Sequence, residues 1–304
     1  MGRAVRDCMA CRRSGERADH VHHVGVQLRM RSSGEMALGK GFRWSARLPE
    51  ALYPASTIAA MLAAWQLSIV LFSIPDFILP GPIAVIESFV GNLGLVWPHF
   101  LVTTFEMLLG FFLATVFAVA VSILMVWSRP VEKTLLPLLV FFQTTPKLAV
   151  APLFIVWFGF GYAPKVIIAF WLAYFPIVIA TMTGLKDVEP ALIDLTKSMS
   201  ASTLQTFIKV RLPSSLPHFF AGLKLGGVVA ILGAIVGEFV GANEGLGYLI
   251  TMAQHNSDVT LLFSVVITLV VLGRSMYALI GWAETHAISW HVTMRARDQR
   301  FFTA

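Results

Sequence analysis

The chain has 304 residues, of which 57% are hydrophobic and only 13% are charged, whereas an ordinary soluble domain carries about 25% charged residues. These proportions exclude a disordered chain, a fibrous repeat and most soluble enzymes, and they predict a protein that crosses a membrane several times. The net charge of +6 belongs to the two ends, because residues 1–50 hold ten Lys and Arg against five Asp and Glu while residues 51–282 hold ten of each. This distribution does not indicate a nucleic-acid-binding surface, which would be a basic face on a folded domain.

Residues 1–50 are predicted to form a basic, disordered N-terminal tail in the cytoplasm. The only two cysteines, Cys8 and Cys11, lie in this tail, so no disulfide framework supports the fold. A single C-x2-C pair is a weak zinc motif, and the favoured interpretation is a tail without a metal. Residues 34–40 fit most of a phosphate-loop pattern, but Gly41 stands where a Ser or Thr must reach Mg²⁺. We therefore expect no ATP hydrolysis in this chain.

Six stretches are long and apolar enough to span a membrane, which needs about 20 residues each. They cover approximately residues 54–74, 99–127, 131–158, 164–184, 216–241 and 260–282. Residues 83–93 predict a short amphipathic helix at an interface. The third stretch contains Pro137, Pro146 and Pro152, and such breaks are tolerated where neighbours or a water-lined cavity satisfy the backbone. The predicted fold is an all-α integral membrane protein, with a transmembrane domain over residues 51–282.

The orientation follows from the Lys and Arg residues in short loops, which favour the cytoplasm. The basic tail, the 128–133 loop, the 185–215 loop and the C-terminal tail at 283–304 all carry such residues, and the remaining loops carry little beyond Lys165. Six spans with both termini in the cytoplasm satisfy this rule at every loop. We expect a multi-pass protein of the cell inner membrane.

The 185–215 loop predicts two short helices joined by a tight turn. Glu189-Pro190 is a helix-start signal, since proline suits the first helical position and an acid suits the positive end of the helix. Ser202 can cap the second helix, and Pro213 precedes the fifth span. Because apolar side chains are presented there outside the bilayer, we interpret the loop as a docking element.

The loop also carries the residues of a family resemblance. The permease subunits of ATP-binding-cassette importers have a cytoplasmic motif E-A-A-x3-G-x9-I-x-L-P. The same spacing occurs here, with Asp194-Leu195-Thr196 at the start, Ser200 at the glycine and Val210-Arg211-Leu212-Pro213 at the end. The residue types differ at the acid, the two alanines and the glycine. Serine tolerates a positive φ less well than glycine, so a left-handed turn at Ser200 is not required by the sequence.

The resemblance extends over about residues 80–282. The third span looks like that of the nitrate/sulfonate/taurine importer permeases at residues 143–147, 151–153 and 157–159, and so do residues 237–239 and 245–248. The resemblance implies a type I importer fold, a homodimer of permeases, two ATPase subunits on the cytoplasmic helices, and an extracytoplasmic binding protein. It implies no cofactor in this chain. The solutes of such importers are nitrate, alkyl sulfonates, taurine or pyrimidine precursors of thiamine.

The resemblance also assigns the residues that would couple the chain to the ATPase. They are Asp194, Leu195, Thr196, Ser200, Ala201, Ser202, Leu204, Leu212 and Pro213. Asp194 is expected to orient the two short helices through a basic residue, either Lys197 or Arg211.

Ionisable residues within membrane spans are costly and usually face a cavity or a partner. Glu106, Lys147, Glu238 and Arg274 stand out in this respect, and for each a pathway role and a structural ion pair are both open. The proposed pathway set is Gln143, Lys147, Glu106 and Glu238. Lys224, near the cytoplasmic end of the fifth span, is expected to extend toward the interface.

The fifth span also carries a glycine stripe. Its members are Gly222, Gly226, Gly233, Gly237 and Gly241, and small residues at four- and seven-residue steps let helices approach closely. The spacing alone allows packing within the chain, and the resemblance favours a pathway-lining or dimer face.

Two other functions compete with an importer permease. An ion-coupled secondary transporter is the main alternative, but it would need no cytoplasmic docking helices. An integral membrane enzyme would need clustered His, Asp or Cys residues near one membrane face, and the sequence predicts no such cluster.

Overall fold

The computed structural model describes residues 52–288, and for residues 52–55 and 147–148 it describes the backbone alone. Within that range every regular element is a helix, as predicted. Its elements are α1 (Leu52–Phe72), α2 (Pro82–Gly91), α3 (Leu93–Trp127), α4 (Arg129–Thr144), α5 (Lys147–Phe158), α6 (Tyr162–Lys186), α7 (Pro190–Ser198), α8 (Thr203–Thr206), a π-helical turn (Phe207–Arg211), α9 (Leu212–Gly241), α10 (Leu246–His255) and α11 (Val259–Ala287). The predicted N-terminal tail, with Cys8 and Cys11, and the C-terminal tail after residue 288 lie outside the described residues.

Four of the predicted spans are single long apolar helices. The second, fourth and sixth spans correspond to α3, α6 and α11, and the fifth lies within a helical stretch of 39 residues, Thr203–Gly241. The third span is broken at Thr145-Pro146, where α4 and α5 meet with a bend of 104°. The predicted interruption at Pro146 is therefore confirmed, while Pro137 and Pro152 lie inside helices.

The predicted count of six spans is not confirmed. The described residues give four spanning helices, or five if the broken α4–α5 pair crosses the membrane as one span. The first predicted span coincides with α1, but its fully described part, Ser56–Phe72, is shorter than the about 20 residues that a crossing needs. The short helix expected near residues 83–93 is present as α2.

Helix α6 is the centre of the bundle, because it packs along α3 on one side and along α9 on the other. Small side chains make both contacts close. Ala169 of α6 lies against Gly110 of α3 and also against Gly233 of α9. The Ser122 hydroxyl of α3 donates a hydrogen bond of 3.0 Å to the Val178 carbonyl of α6. Close approach of this kind, rather than bulky side chains, holds helices together in a lipid environment.

The sequence predicted the second short helix of the 185–215 loop to be separate from the fifth span. In the structure the two are continuous. Helix α8 continues through the π-helical turn Phe207–Arg211 directly into α9. Pro213 lies at the start of α9 and has no N–H to donate. A single π-helical turn accommodates such an interruption without ending the helix, so the loop and the span form one rod.

Candidate functional site

Residues 189–213, here called the coupling element, are ordered by local hydrogen bonds. Pro190 begins α7, and Ser200 follows its end with a φ of 55°, a left-handed conformation that the sequence did not require. Ser202 caps α8 as predicted: its Oγ accepts a hydrogen bond of 3.2 Å from the Gln205 N–H, and the Gln205 side chain accepts one of 2.8 Å from the Ser202 N–H. This reciprocal capping box fixes the turn between the two helices.

The coupling element presents an apolar surface. No residue of α7 or α8 is buried in the described chain, and large apolar side chains lie open along both helices and the turn that follows. They are Leu192, Leu195, Met199, Leu204 and Ile208. Beneath them is a cavity of about 440 Å³, lined by Ile193, Thr196, Ala201 and Phe207 together with Val126 and Trp127 at the end of α3. Exposed apolar patches on a stable protein mark interaction sites.

Phe207 connects the coupling element to the bundle. Its buried ring meets the Trp127 indole edge to face, with 5.8 Å between ring centroids. Leu212 and Pro213, also assigned to coupling, begin α9. A partner that moves the coupling element would therefore act on both α3 and α9.

Asp194 pairs with Lys197, one of the two predicted partners, but this pair does not join the two short helices. Its carboxylate accepts a hydrogen bond of 3.0 Å from Lys197, which lies on the same helix, and both side chains are more than 70% exposed. An exposed pair of this kind contributes little stability. The relation between α7 and α8 is set instead by the Ser200 turn and the capping box.

A second group of polar residues, here called the outer polar cluster, lies at the opposite end of the bundle. It consists of His99, Thr103 and Glu106 on α3, Lys165 on α6 and Glu238 on α9. The Lys165 ammonium donates a hydrogen bond of 2.6 Å to Glu106 Oε1, and the Thr103 hydroxyl donates one of 2.6 Å to Glu238 Oε1. Glu106 is 0% exposed and Glu238 is 1% exposed. The cluster therefore ties three long helices together by paired, buried groups.

The outer polar cluster also holds the start of α10. The N–H groups of Gly245, Leu246 and Gly247 have no partners within their own helix. They donate respectively to His99 Nδ1 at 2.9 Å, to Thr103 Oγ1 at 2.8 Å and to Glu238 Oε2. Gly245 has a φ of +112°, and a Cβ there would overlap the Glu238 carboxylate. Glycine is thus required where the chain wraps around that carboxylate.

Burial changes the interpretation of two predicted pathway residues. For Glu106 the ion pair with Lys165 is the structural alternative that the sequence left open. Glu238 is also buried and accepts a hydrogen bond from Thr103. Gln143 is exposed at the end of α4, next to the break. The side chain of Lys147 lies outside the described residues.

Sequence reasoning missed Lys165, which it had assigned to the loops. It also predicted no cluster around a histidine, although His99, Thr103 and Glu106 lie at i, i+4 and i+7 and so share one helix face. That spacing could have identified the cluster. Lys224 does not extend freely toward the interface, because its ammonium forms an ion pair with Glu284 of α11.

The glycine stripe of α9 is covered by other residues of the same chain. A Cβ at Gly226 would lie 2.6 Å from Ile177, one at Gly233 would lie 2.5 Å from Ala169, and one at Gly237 would lie 2.8 Å from Lys165. A Cβ at Gly222 would also meet α6, at Ala180. Gly241 instead faces Phe160, which precedes the start of α6. At Gly222, Gly226, Gly233 and Gly237 this face packs against α6 within the chain, which is the packing role that the spacing alone allowed.

Comparison with known proteins identifies the family. The family described as "Binding-protein-dependent transport system inner membrane component" matches residues 106–287, which contain most of the outer polar cluster and the whole coupling element. A Haemophilus influenzae protein named "Probable ABC transporter permease protein" is 38% identical over 79% of this chain and 98% of its own length.

Two further relatives carry the name of a solute. The formylaminopyrimidine transport permease protein ThiX of Halalkalibacterium halodurans is 34% identical over 79% of this chain and 96% of its own length. A Bacillus subtilis protein named as a putative aliphatic sulfonates transport permease, SsuC, is 30% identical over 76% of this chain and 85% of its own length.

A solved structure shows the same fold. The membrane chain of the MetNI methionine ABC transporter, in an inward-facing conformation, superposes with a TM-score of 0.54 at 20% identity, over 66% of this chain and 97% of that chain. The chain thus belongs to the family of binding-protein-dependent transport system inner membrane components, the permease subunits of ATP-binding-cassette importers, in which ATP is hydrolysed by a separate subunit.

Proposed function

We propose that this chain forms, as a homodimer, the translocation pathway of an importer in which two ATPase subunits bind the coupling elements and an extracytoplasmic binding protein delivers the solute. Permeases of this family work with an ATPase and a binding protein. Membership of the family therefore argues against an ion-coupled secondary transporter. The number of subunits and the contacts made by individual residues are part of the proposal.

The exposed apolar surface of the coupling element carries this proposal. Met199 is 73% exposed and Leu195 is 56% exposed, although neither would face lipid in the predicted orientation. The two helices are held rigidly by a capping box, and Phe207 and α9 join them to the bundle. A rigid apolar projection with a cavity behind it suits a partner that pushes on it, which is what an ATPase subunit does during its cycle.

The test is Ala201→Arg. Ala201 lines the cavity under the coupling element, and an arginine there would clash with a docked partner and leave a charge unpaired on burial, which costs several kcal/mol. We expect the chain to insert and dimerise, while the ATPase no longer co-purifies and uptake stops.

Thr134→Arg is the matched control. Thr134 is exposed near the start of α4, outside the coupling element, so the same charge there should leave ATPase binding intact. If Ala201→Arg retains both ATPase binding and uptake, the loop is not the coupling element.

The orientation can be tested by cysteine labelling. We propose that both termini and the coupling element are cytoplasmic, because the Lys and Arg residues lie at that end. A cysteine within residues 243–257 should react with an impermeant thiol reagent from outside, and one within residues 196–206 should react only after permeabilisation. The reverse pattern would overturn the orientation and the site of ATPase docking together.

For the solute, we propose a small molecule of the nitrate, sulfonate and taurine class, or a pyrimidine precursor of thiamine. The names of the relatives support this range, since one names a formylaminopyrimidine and another aliphatic sulfonates. Calorimetric titration of taurine, an alkyl sulfonate and formylaminopyrimidine into the binding protein that delivers solute to this chain would choose among them. Failure of all three to bind would remove the proposed class.

A further inference from the structure

Arg274 lies in the middle of a spanning helix. In the predicted span 260–282 it lies eight residues, or about 12 Å, from the nearer end, and a span of this length fills the hydrocarbon core of a bilayer, which is about 30 Å thick. Arginine keeps its charge in every protein environment. A side chain at this depth cannot place its guanidinium among the lipid headgroups, so it needs water or an anionic partner inside the membrane.

The side chain of Arg274 is exposed, and within residues 52–288 it makes no hydrogen bond or ion pair. The other charged groups within α3, α6, α9 and α11 have partners: Lys165 pairs with Glu106, Lys186 with Glu132 and Lys224 with Glu284, and Glu238 accepts a hydrogen bond from Thr103. Lys209 and Arg211 precede α9, at the end of the bundle that carries the coupling element. Arg274 is therefore the exception among the described spanning helices.

A second copy of this chain offers no evident partner for Arg274. The carboxylates in the described spanning helices are Glu106, Glu132, Glu238 and Glu284, and each already accepts a hydrogen bond within its own chain. An ion pair across a dimer contact would have to break one of these bonds. Water and a mobile anion remain as the partners that the described groups allow.

The surface around Arg274 is continuous with the open face of α9. Gly273 lies against Ile231 of α9, and the Lys224 ammonium lies 5.5 Å from the centre of the Tyr277 ring on α11. Next to this contact α9 presents the exposed side chains of Leu225, Val228 and Leu232, on the side that α6 does not cover. Among the described residues Arg274 is thus the one unpaired charge on this two-helix surface, since Lys224 is paired with Glu284.

We propose that the α9–α11 surface lines the water-filled pathway and that Arg274 binds the anionic group of the solute as it crosses. This inference rests on the proposed importer function and extends it to a carboxylate, sulfonate or phosphate in the solute. A guanidinium suits these groups because its planar donors match two oxygens at once. The apolar side chains around it would accommodate the remainder of a small organic anion without holding it tightly.

The experiment uses charged thiol reagents rather than the solute. In the full-length chain with Cys8 and Cys11 replaced by serine, Val270→Cys places a thiol one helical turn from Arg274 on the same face. Membrane vesicles that contain the assembled transporter are treated with an anionic sulfonatoethyl or a cationic trimethylammonioethyl methanethiosulfonate. We expect both reagents to modify Val270→Cys and the anionic one to be favoured. Adding Arg274→Gln should lower the ratio of the two rates by about tenfold, since a charge in a low-dielectric cleft concentrates counter-ions by at least that factor.

Two variants serve as controls. Arg274→Lys keeps the charge and should keep the ratio, which separates the electrostatic effect from a failure to fold. Leu279→Cys is exposed on another face of α11 and should react slowly with both reagents. An unreactive Val270→Cys would show that the surface faces lipid, and a ratio unchanged by Arg274→Gln would show that the charge is already neutralised by a partner. Either result overturns the proposal for Arg274, and neither depends on ATPase docking, which Ala201→Arg tests separately.

Discussion

The outer polar cluster and the coupling element differ in which of their groups are buried and which are exposed. Both bring polar and apolar groups together at one end of the bundle. In the outer cluster the polar groups are buried and hydrogen-bonded across α3, α6 and α9, with one ion pair between Lys165 and Glu106. In the coupling element the apolar side chains are exposed and the single ion pair among the described residues lies within one helix. The members of the first region hydrogen-bond to one another within the described chain, whereas the second leaves large apolar side chains exposed.

This contrast shows where each kind of substitution should act. Changes in the outer cluster should reduce the stability of the chain itself, because its contacts are internal. Changes in the coupling element should leave the chain folded and alter what it binds, as Ala201→Arg is designed to show. The following predictions run from the largest expected effect on stability to the smallest.

Lys165→Met should have the largest effect. It leaves the buried Glu106 carboxylate without its cation, and breaking a buried pair from one side costs about 3–5 kcal/mol. We expect a lower midpoint of thermal unfolding in detergent, or loss of the protein from the membrane. Lys165→Met combined with Glu106→Gln should recover part of the loss, because no uncompensated charge remains.

Lys197→Met in the coupling element is the control for Lys165→Met in the outer polar cluster. This variant removes the exposed partner of Asp194, and such pairs contribute about 1 kcal/mol or less. Equal losses of stability in Lys165→Met and Lys197→Met would contradict the distinction between the two regions.

Gly233→Ala should have an intermediate effect. The added methyl group would lie 2.5 Å from the Cα of Ala169, so α6 and α9 must separate, and overpacking of this kind costs about 1–3 kcal/mol. We expect insertion to be retained and thermal stability and transport to fall. Gly94→Ala, where a Cβ meets nothing within 4 Å, should leave both unchanged. Normal stability of Gly233→Ala would show that the α6–α9 contact is looser than described.

Ser200→Gly should have the smallest effect, and its sign should be favourable. Ser200 holds a φ of 55°, a left-handed conformation that costs a non-glycine residue about 1 kcal/mol. Glycine relieves this strain but makes the unfolded chain more flexible, so the net gain should stay below about 1 kcal/mol. Hydrogen exchange at the amides of residues 199–202 should slow slightly. Met199→Gly, at a φ of −83°, should speed the same exchange.

The sequence predicted those features that depend on local patterns. The long apolar helices, the break at Pro146 and the Ser202 cap follow from composition and short-range spacing, and the structure has all three. The importer family was predicted from the spacing of the coupling motif, and the comparison confirms it.

The features that the sequence did not reveal depend on contacts between distant residues. Glu106 and Lys165 are separated by 59 residues, and nothing near either one indicates that they pair. The glycine stripe showed that one face of α9 packs closely against a neighbour. The spacing of the glycines identifies that face but does not identify the helix that packs against it. The continuity of α8 with α9 was missed because Pro213 is typical of a helix start.

The π-helical turn at Phe207–Arg211 has a consequence for chain length. A π-helical turn contains one residue more than the α-helical turn it replaces, so removing one residue from this turn would restore a plain α-helix. The capping box before it and the glycine face after it would keep their registers, whereas a deletion within residues 222–237 would rotate the glycines away from α6. Uptake by two chains, each shortened by one residue, would show whether this junction is where the rod tolerates a change in length.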